Sequence, residues 1–344
     1  MKVELTSDQL HFIADIDDIL VVVGSNHMMK DQLFYHMRKM KVTSCYTDEE
    51  TKFYGAGGIQ FKLDDKKINA SKQRIYTIDG RQDIEGLFTL DKKSLIFNEL
   101  LREVEDINLV RQLDQVNDQL MRVEQEINQK LDTALYSLEL KTFEWPTLFG
   151  KFAELKFSDA AGYVSLDRQA SGQLLSQWLI SIEKFVKANG QEVWVIIKYP
   201  ETYLEINDFL EFIEKVKGIA QETKLLKMIV IHYKQLDPNI YSDEFIDKTI
   251  IATNRFEQLP ELEYFRDNVQ KYYPDEMTDT DNILAQRFYR ISHLIGETEI
   301  YKNSTIFTKD MVLLKMLGDI LEMPVTFETS DEALSALETA FLLE

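Results

Sequence analysis

Cysteine is nearly absent: one residue in 344, Cys45. A single thiol excludes a disulfide framework and any cysteine-built zinc site. Cys45 reads as an inert, half-buried residue rather than a nucleophile. No apolar run reaches the 18 residues a membrane helix needs. The opening MKVELTSDQL lacks the apolar core of a secretory leader. The expected setting is soluble, reducing and cytoplasmic, with no membrane partner. Positive charge is also scarce, with 39 Lys and Arg against 59 Asp and Glu, a net charge of −20. On its face that argues against a general nucleic-acid binder, because phosphate needs cationic surface. The five histidines (His11, His27, His36, His232 and His293) form neither H-x-x-x-H nor H-E-x-x-H, and there is no G-x-S-x-G. Zinc-hydrolase and serine-hydrolase centres are therefore not expected, and no catalytic residue is assigned. His232, ending a candidate strand, reads as structural.

Glycine and proline disappear between Leu87 and Trp145. Within that stretch Leu100, Val104, Ile107, Val110, Leu113, Val116, Leu120, Val123, Ile127 and Leu131 recur every three or four residues. This is the spacing of a long amphipathic helix close to a heptad seam. Such a helix either packs inside a bundle or projects as an arm that pairs with another subunit. Leu113, Val116, Leu120, Val123 and Ile127 are the candidate oligomerisation residues. The segment 134–157 fits a small hairpin or a bent helix. A second helix is predicted over Ser171–Asn189, stopped by Gly190.

What is abundant is apolar: 44% hydrophobic and 11% aromatic residues suffice for a packed core. Ile19–Val23 (ILVVV), Val193–Ile197 (VWVII), Leu226–His232 (LKMIVIH) and Thr249–Thr253 (TIIAT) read as buried strands. Shorter strands are expected at Gly58–Leu63 and Arg74–Ile78, and helices over 31–40 and Ile206–Ile219. Strands alternating with helices imply a mostly parallel α/β sheet. The expected organisation is a discontinuous α/β head (1–95 and 191–260), a helical leg (96–190) and a helical C-terminal extension (261–344). The extension carries 17 acids against 7 bases, half of the net charge.

Two spacings bear on chemistry. After ILVVV comes Gly24-Ser25-Asn26-His27-Met28-Met29-Lys30-Asp31, with Gly24 and Lys30 placed as in the phosphate loop G-x-x-x-x-G-K-[ST]. Met29 replaces the second glycine and obstructs backbone approach to phosphate. Asp31 replaces the hydroxyl that would hold Mg²⁺. Gly24 and Lys30 thus read as a vestigial phosphate loop. The acid expected after a neighbouring strand is missing as well: VWVII is followed by Lys198-Tyr199-Pro200-Glu201. The fold class read from this is a degenerate P-loop NTPase-like head.

Charge reverses locally. From Gly24 to Arg81 there are 11 Lys and Arg against 7 Asp and Glu. Lys30, Arg38, Lys39 and Lys41 cluster at the first helix, and Lys62, Lys66, Lys67, Lys72 and Arg74 at a hairpin-like segment. They are the candidate DNA-binding residues. No base-stacking platform is visible among them, which favours contact with duplex backbone.

The order of elements, with LFTLDKKSLIFNELLREVEDINL at 87–109, EVWVIIKYPETYL at 192–204, LKMIVIHYKQL at 226–236 and TIIATNRFEQLP at 249–260, resembles the ring-forming spacer-acquisition protein of type II-A CRISPR systems. The likeness covers residues 1–260, and the further 261–344 is similar to the long form of that family. The resemblance implies a homotetrameric ring around linear double-stranded DNA, taken at its ends. It implies no catalysis, and partnership with the CRISPR integrase complex and effector nuclease in antiviral adaptation. Short-form members of that family use calcium at acidic sites, so the resemblance makes calcium the candidate cofactor. The alternatives are a P-loop-type NTPase with a divergent phosphate loop, or a protein-interaction scaffold that does not bind DNA.

Overall fold

The computed structural model describes residues 1–40, 46–69, 73–92, 94–131, 136–159, 162–300, 306–327 and 334–343. Cys45, Lys41 and Lys72 lie outside these residues. The chain divides into two units, Met1–Gly80 with Gly190–Glu344, and Arg81–Asn189.

The first unit begins with β1 (Lys2–Thr6), β2 (His11–Asp15), β3 (Ile19–Val23), α1 (His27–Met40), α2 (Asp48–Tyr54), β4 (Gln60–Leu63), β5 (Lys66–Lys67) and β6 (Arg74–Ile78). The second holds α3 (Arg81–Gly86), α4 (Leu95–Glu103), α5 (Ile107–Lys130), α6 (Trp145–Phe152), β7 (Phe157–Asp159), β8 (Gly162–Val164) and α7 (Ser171–Asn189). The chain then returns to the first unit with β9 (Val193–Lys198), α8 (Ile206–Thr223), β10 (Leu226–Ile231), β11 (Thr249–Ala252), β12 (Phe256–Gln258), α9 (Leu262–Tyr272) and α10 (Asp281–Ile291). It closes with β13 (Glu299–Ile300), α11 (Thr308–Ile320), β14 (Thr326–Phe327) and α12 (Ala336–Leu343).

Unbroken β-branched runs make strands that must be covered on both faces. Accordingly every residue of β3, β9, β10 and β11 is buried. They form a six-stranded sheet of order β12-β11-β3-β10-β9-β6, parallel throughout except for β12. The fold is thus α/β with a mostly parallel sheet. Alternation in β2, where only Phe12 and Ala14 are buried, instead builds a half-covered antiparallel sheet of order β2-β1-β4-β5. The two sheets share one core, with Val3, Leu5 and Phe12 beside Leu20, Val22 and Trp194. Helix α1 buries Leu33, Phe34 and Met37 in it, each contributing about 1.5–3 kcal/mol.

In the second unit α7 spans the predicted residues and packs on α3 and α4. That packing places the unit boundary after Gly80 rather than at residue 95, because the amphipathic segments from 81 to 103 are buried on α7. The long seam is also not one helix. Asp106 caps α5, its Oδ1 accepting from Asn108 N at 2.8 Å and Leu109 N at 3.4 Å, so α4 ends at Glu103 and a new helix starts. The segment before α6 is neither hairpin nor helix but an extended strap along α5. Asn117 exchanges two hydrogen bonds with the Phe143 backbone (3.1 and 2.7 Å), and Asn128 does the same with Leu138 (2.7 Å each). The register fits, since eleven helical residues and five extended ones both span about 16 Å.

The acidic extension is not a separate body. Tyr289 Oη lies 2.9 Å from Thr249 Oγ1 of β11, and the ring of Tyr289 stands 5.3 Å from that of Tyr241. Within the extension, buried Arg287 pairs with Asp310 and Asp279.

Candidate functional site

Helix α1 starts at His27, so only Gly24, Ser25 and Asn26 separate it from β3. Gly24 holds φ +101°, and a Cβ there would meet Ala252 O at 2.4 Å. Asn26 caps the helix, accepting from Met29 N at 3.0 Å. Three residues cannot wrap a phosphate chain. Lys30 accordingly does not reach outward. Its fully buried ammonium donates to Gly24 O at 2.6 Å and to His232 O at 2.8 Å. It ties together the carboxyl ends of β3 and its neighbour β10. Burial pulls its pKa down to about 8, against the opposing pull of Glu201 and Asp31. Lys30 is therefore not a DNA contact, and this corrects the sequence assignment.

Strand β10 lies between β3 and β9, so β9 is not the immediate neighbour of the phosphate-loop strand. Its last residue, Lys198, nonetheless reaches the same site. Lys198 Nζ stands 3.1 Å from Asp31 Oδ1 and 3.4 Å from Asp79 Oδ1. The ring centroids of Tyr199, Tyr35 and Phe34 surround it at 4.8, 4.9 and 5.4 Å. Burial works against this charge, but the hydrogen bond and charge of Asp31, with Asp79, hold the lysine above its ordinary value. The two departures noted in the sequence are thus complementary. A hydroxyl and an acid would together hold a divalent ion; here an acid and an ammonium neutralise each other. Tyr199 donates to Asp31 at 2.9 Å from a left-handed backbone (φ 53°) that disfavours a bulky side chain.

Glu201 anchors the same edge. Its Oε1 accepts from Tyr233 N at 2.5 Å and Lys234 N at 3.2 Å, and its Oε2 lies 3.2 Å from His232 Nδ1. A carboxylate donates nothing, so Nδ1 carries the proton. His232 Nε2 is then free to accept from Tyr241 Oη at 2.7 Å. Burial would raise the Glu201 pKa, but His232 and these backbone donors outweigh it and hold the carboxyl at about 2, below its ordinary 4.5. A depressed acid stabilises the fold above pH 4.5 and loses that contribution as pH falls toward 2. Glu201→Gln is therefore expected to flatten the stability profile between pH 4.5 and 2, as read by denaturant unfolding across that range. The extension roofs the loop. Ser25 N donates to Ile295 O at 3.0 Å, and Gly296 sits so close that a Cβ would meet Ser25 Oγ at 2.7 Å. His293 is pushed down to about 4 by burial and by the charge of Lys30.

No protein-family model and no curated protein matches the chain. It shares its fold with Stu0660 of Streptococcus thermophilus. That crystal structure superposes with a TM-score of 0.82 over 97% of this chain and 98% of Stu0660, at 16% identity. More remote similarity reaches cbiO1 of Clostridium perfringens, part of an ABC transporter complex (TM-score 0.39, 12% identity, 80% of this chain and 97% of that one). The Smc head bound to the C-winged helix domain of ScpA is similarly distant (TM-score 0.41, 12% identity, 77% of this chain and 98% of that one).

The remaining cations fall into separate places. Lys62, Lys66 and Lys67 share the β4–β5 hairpin, with Lys62 directly opposite Lys67. Lys66 and Lys67 are exposed, whereas Lys62 is half-buried and bonded to Glu4 at 2.6 Å. Arg38 and Lys39 end α1, with Lys39 paired to Glu50 at 2.6 Å. Arg74 is half-buried on β6, an edge of the other sheet, away from the hairpin it neighbours in sequence. On α5, Leu113, Leu120 and Ile127 are half-buried, while Val116 and Val123 are 47% and 48% exposed, and no residue of the helix is buried. Among the described residues no group of three or more His, Cys, Asp or Glu could hold a metal ion, and no helix is long and apolar enough to cross a membrane.

Proposed function

We propose that this protein is a non-catalytic double-stranded DNA-binding protein. In this reading it assembles as a homotetrameric ring, takes linear duplex by its ends, and assists the CRISPR integrase complex and effector nuclease in acquiring spacers. The observation that carries the proposal is the β4–β5 hairpin, where Lys66 and Lys67 present exposed ammonium groups in a chain of net charge −20. A hydrolytic role is disfavoured because Lys30 and Lys198 are both taken up by internal partners. The bare stripe of α5 is the surface through which copies would pair.

Phosphate contact of this kind is independent of sequence and falls steeply with salt. Lys66→Glu with Lys67→Glu should weaken binding of a short linear duplex at least tenfold at low salt, measured by fluorescence anisotropy. The log–log salt slope should flatten as well. Both positions are exposed, so the fold should be retained. Unchanged DNA binding in this variant would favour the scaffold reading instead.

A further inference from the structure

Helix α2 folds back on α1, and aromatic rings hold the two together. His36 packs against Tyr54 at 4.9 Å and Phe53 at 5.9 Å between ring centroids, and its ring is fixed by Ser7 at 2.8 Å and the Gln32 carbonyl at 2.6 Å. This brings together Tyr35 and Phe53, which lie eighteen positions apart in sequence. They line a recess of about 330 Å³ with Tyr54, Arg38 and Lys39. Tyr35 is 44% exposed and Phe53 is 42% exposed, while Tyr54 is buried beneath them. Two part-exposed aromatic side chains thus line one recess beside two cations, with Lys198 Nζ also 4.9 Å from the Tyr35 ring centroid.

The composition of the recess selects its occupant. Exposed aromatic faces offer stacking to any base regardless of sequence, and neighbouring guanidinium and ammonium groups suit the phosphate that accompanies it. Arg38 sits with its guanidinium carbon 6.0 Å from the Phe34 ring centroid, and Lys39 is held by Glu50 and stands 5.5 Å from the Tyr46 ring. Both cations are thus fixed in place at the rim. The volume falls at the small end of ligand pockets, enough for one nucleotide but not for a duplex. An intact duplex hides its base faces everywhere except at its termini. We propose that Tyr35 and Phe53, with Arg38 and Lys39, form a stacking site for an unpaired terminal nucleotide of a DNA strand. The proposal rests on the DNA-binding reading above and deepens it: the site would distinguish a frayed or overhanging end from a blunt one.

The test uses the full chain and three fluorescent probes: a blunt duplex, the same duplex with one unpaired 3′ or 5′ nucleotide carrying 2-aminopurine, and a short single strand. The wild-type protein should bind the overhanging duplex about tenfold more tightly than the blunt one and quench the 2-aminopurine. In Tyr35→Ala and Phe53→Ala both the preference and the quenching should vanish, while blunt-duplex affinity is kept. Tyr35→Phe should retain both and so controls for folding. Equal affinity of the wild type for blunt and overhanging duplexes, without quenching, would overturn the stacking site and leave duplex binding intact. Binding of the single strand alone, lost in Tyr35→Ala, would support the stacking site and overturn the duplex reading. No binding of any probe would overturn both.

Discussion

Lys30→Ala lowers the stability of the protein by about 4 kcal/mol at pH 7 and changes nothing in its response to nucleotide. Removing the buried aliphatic stem costs about 3 kcal/mol. The Gly24 and His232 carbonyls, which both accept from this ammonium, are left unpaired at about 2 kcal/mol each. Against this, the variant is relieved of the cost of burying a charge. The lysine pKa falls from 10.5 to about 8, a difference of about 3 kcal/mol. The sign of the pH dependence follows from the same shift. Between pH 8 and 10.5 the folded lysine has lost its proton and the unfolded one has not. The unfolded state binds more protons, and stability rises with pH. The alanine variant lacks that rise. Denaturant unfolding at pH 7 to 10.5, paired with nucleotide binding and hydrolysis assays, measures both. A functional phosphate-loop lysine would give the opposite pattern, with stability nearly unchanged and hydrolysis abolished.

The second large effect concerns assembly. Val116→Asp with Val123→Asp should leave the folded chain intact, because both valines are about half exposed on a helix without a buried residue. In the proposed tetramer the same pair should break the contact between copies. Each valine buried between legs is worth about 1.5–3 kcal/mol, and a carboxylate in its place adds a desolvation cost. Two substitutions per leg therefore weaken association at least 100-fold, a shift that light scattering at micromolar concentration detects. Asn117 and Asn128 face the strap. Substituting them disturbs the unit itself and is not a clean probe of assembly.

The strands of the parallel sheet were legible because fully buried strands leave no alternation and read as unbroken apolar runs. Helix α7 was legible because its stripe ends at Asn189-Gly190. The break at Asp106 was not, because apolar spacing continues unperturbed across it and only the cap geometry of one carboxylate interrupts the helix. The head boundary was misplaced for a related reason: α3 and α4 are amphipathic, and periodicity does not say whether α7 or the sheet will cover them. At the site, spacing located Gly24, Lys30, Asp31 and Lys198 and marked each departure. That the departures pair was hidden, because it depends on the sheet order that sets the carboxyl ends of β3 and β9 near each other with β10 between them. Sequence also could not show which way the Lys30 ammonium turns. Tyr35 and Phe53 escaped notice because only the fold-back of α2 makes them neighbours.

The central claim is a non-catalytic ring that holds linear duplex through a small positive surface. Size-exclusion chromatography with multi-angle light scattering, with and without a short linear duplex at low salt, tests it most directly. The account predicts four chains of 40.3 kDa per particle, with DNA co-eluting and released as salt rises. A monomer that elutes apart from the duplex at low salt would contradict it.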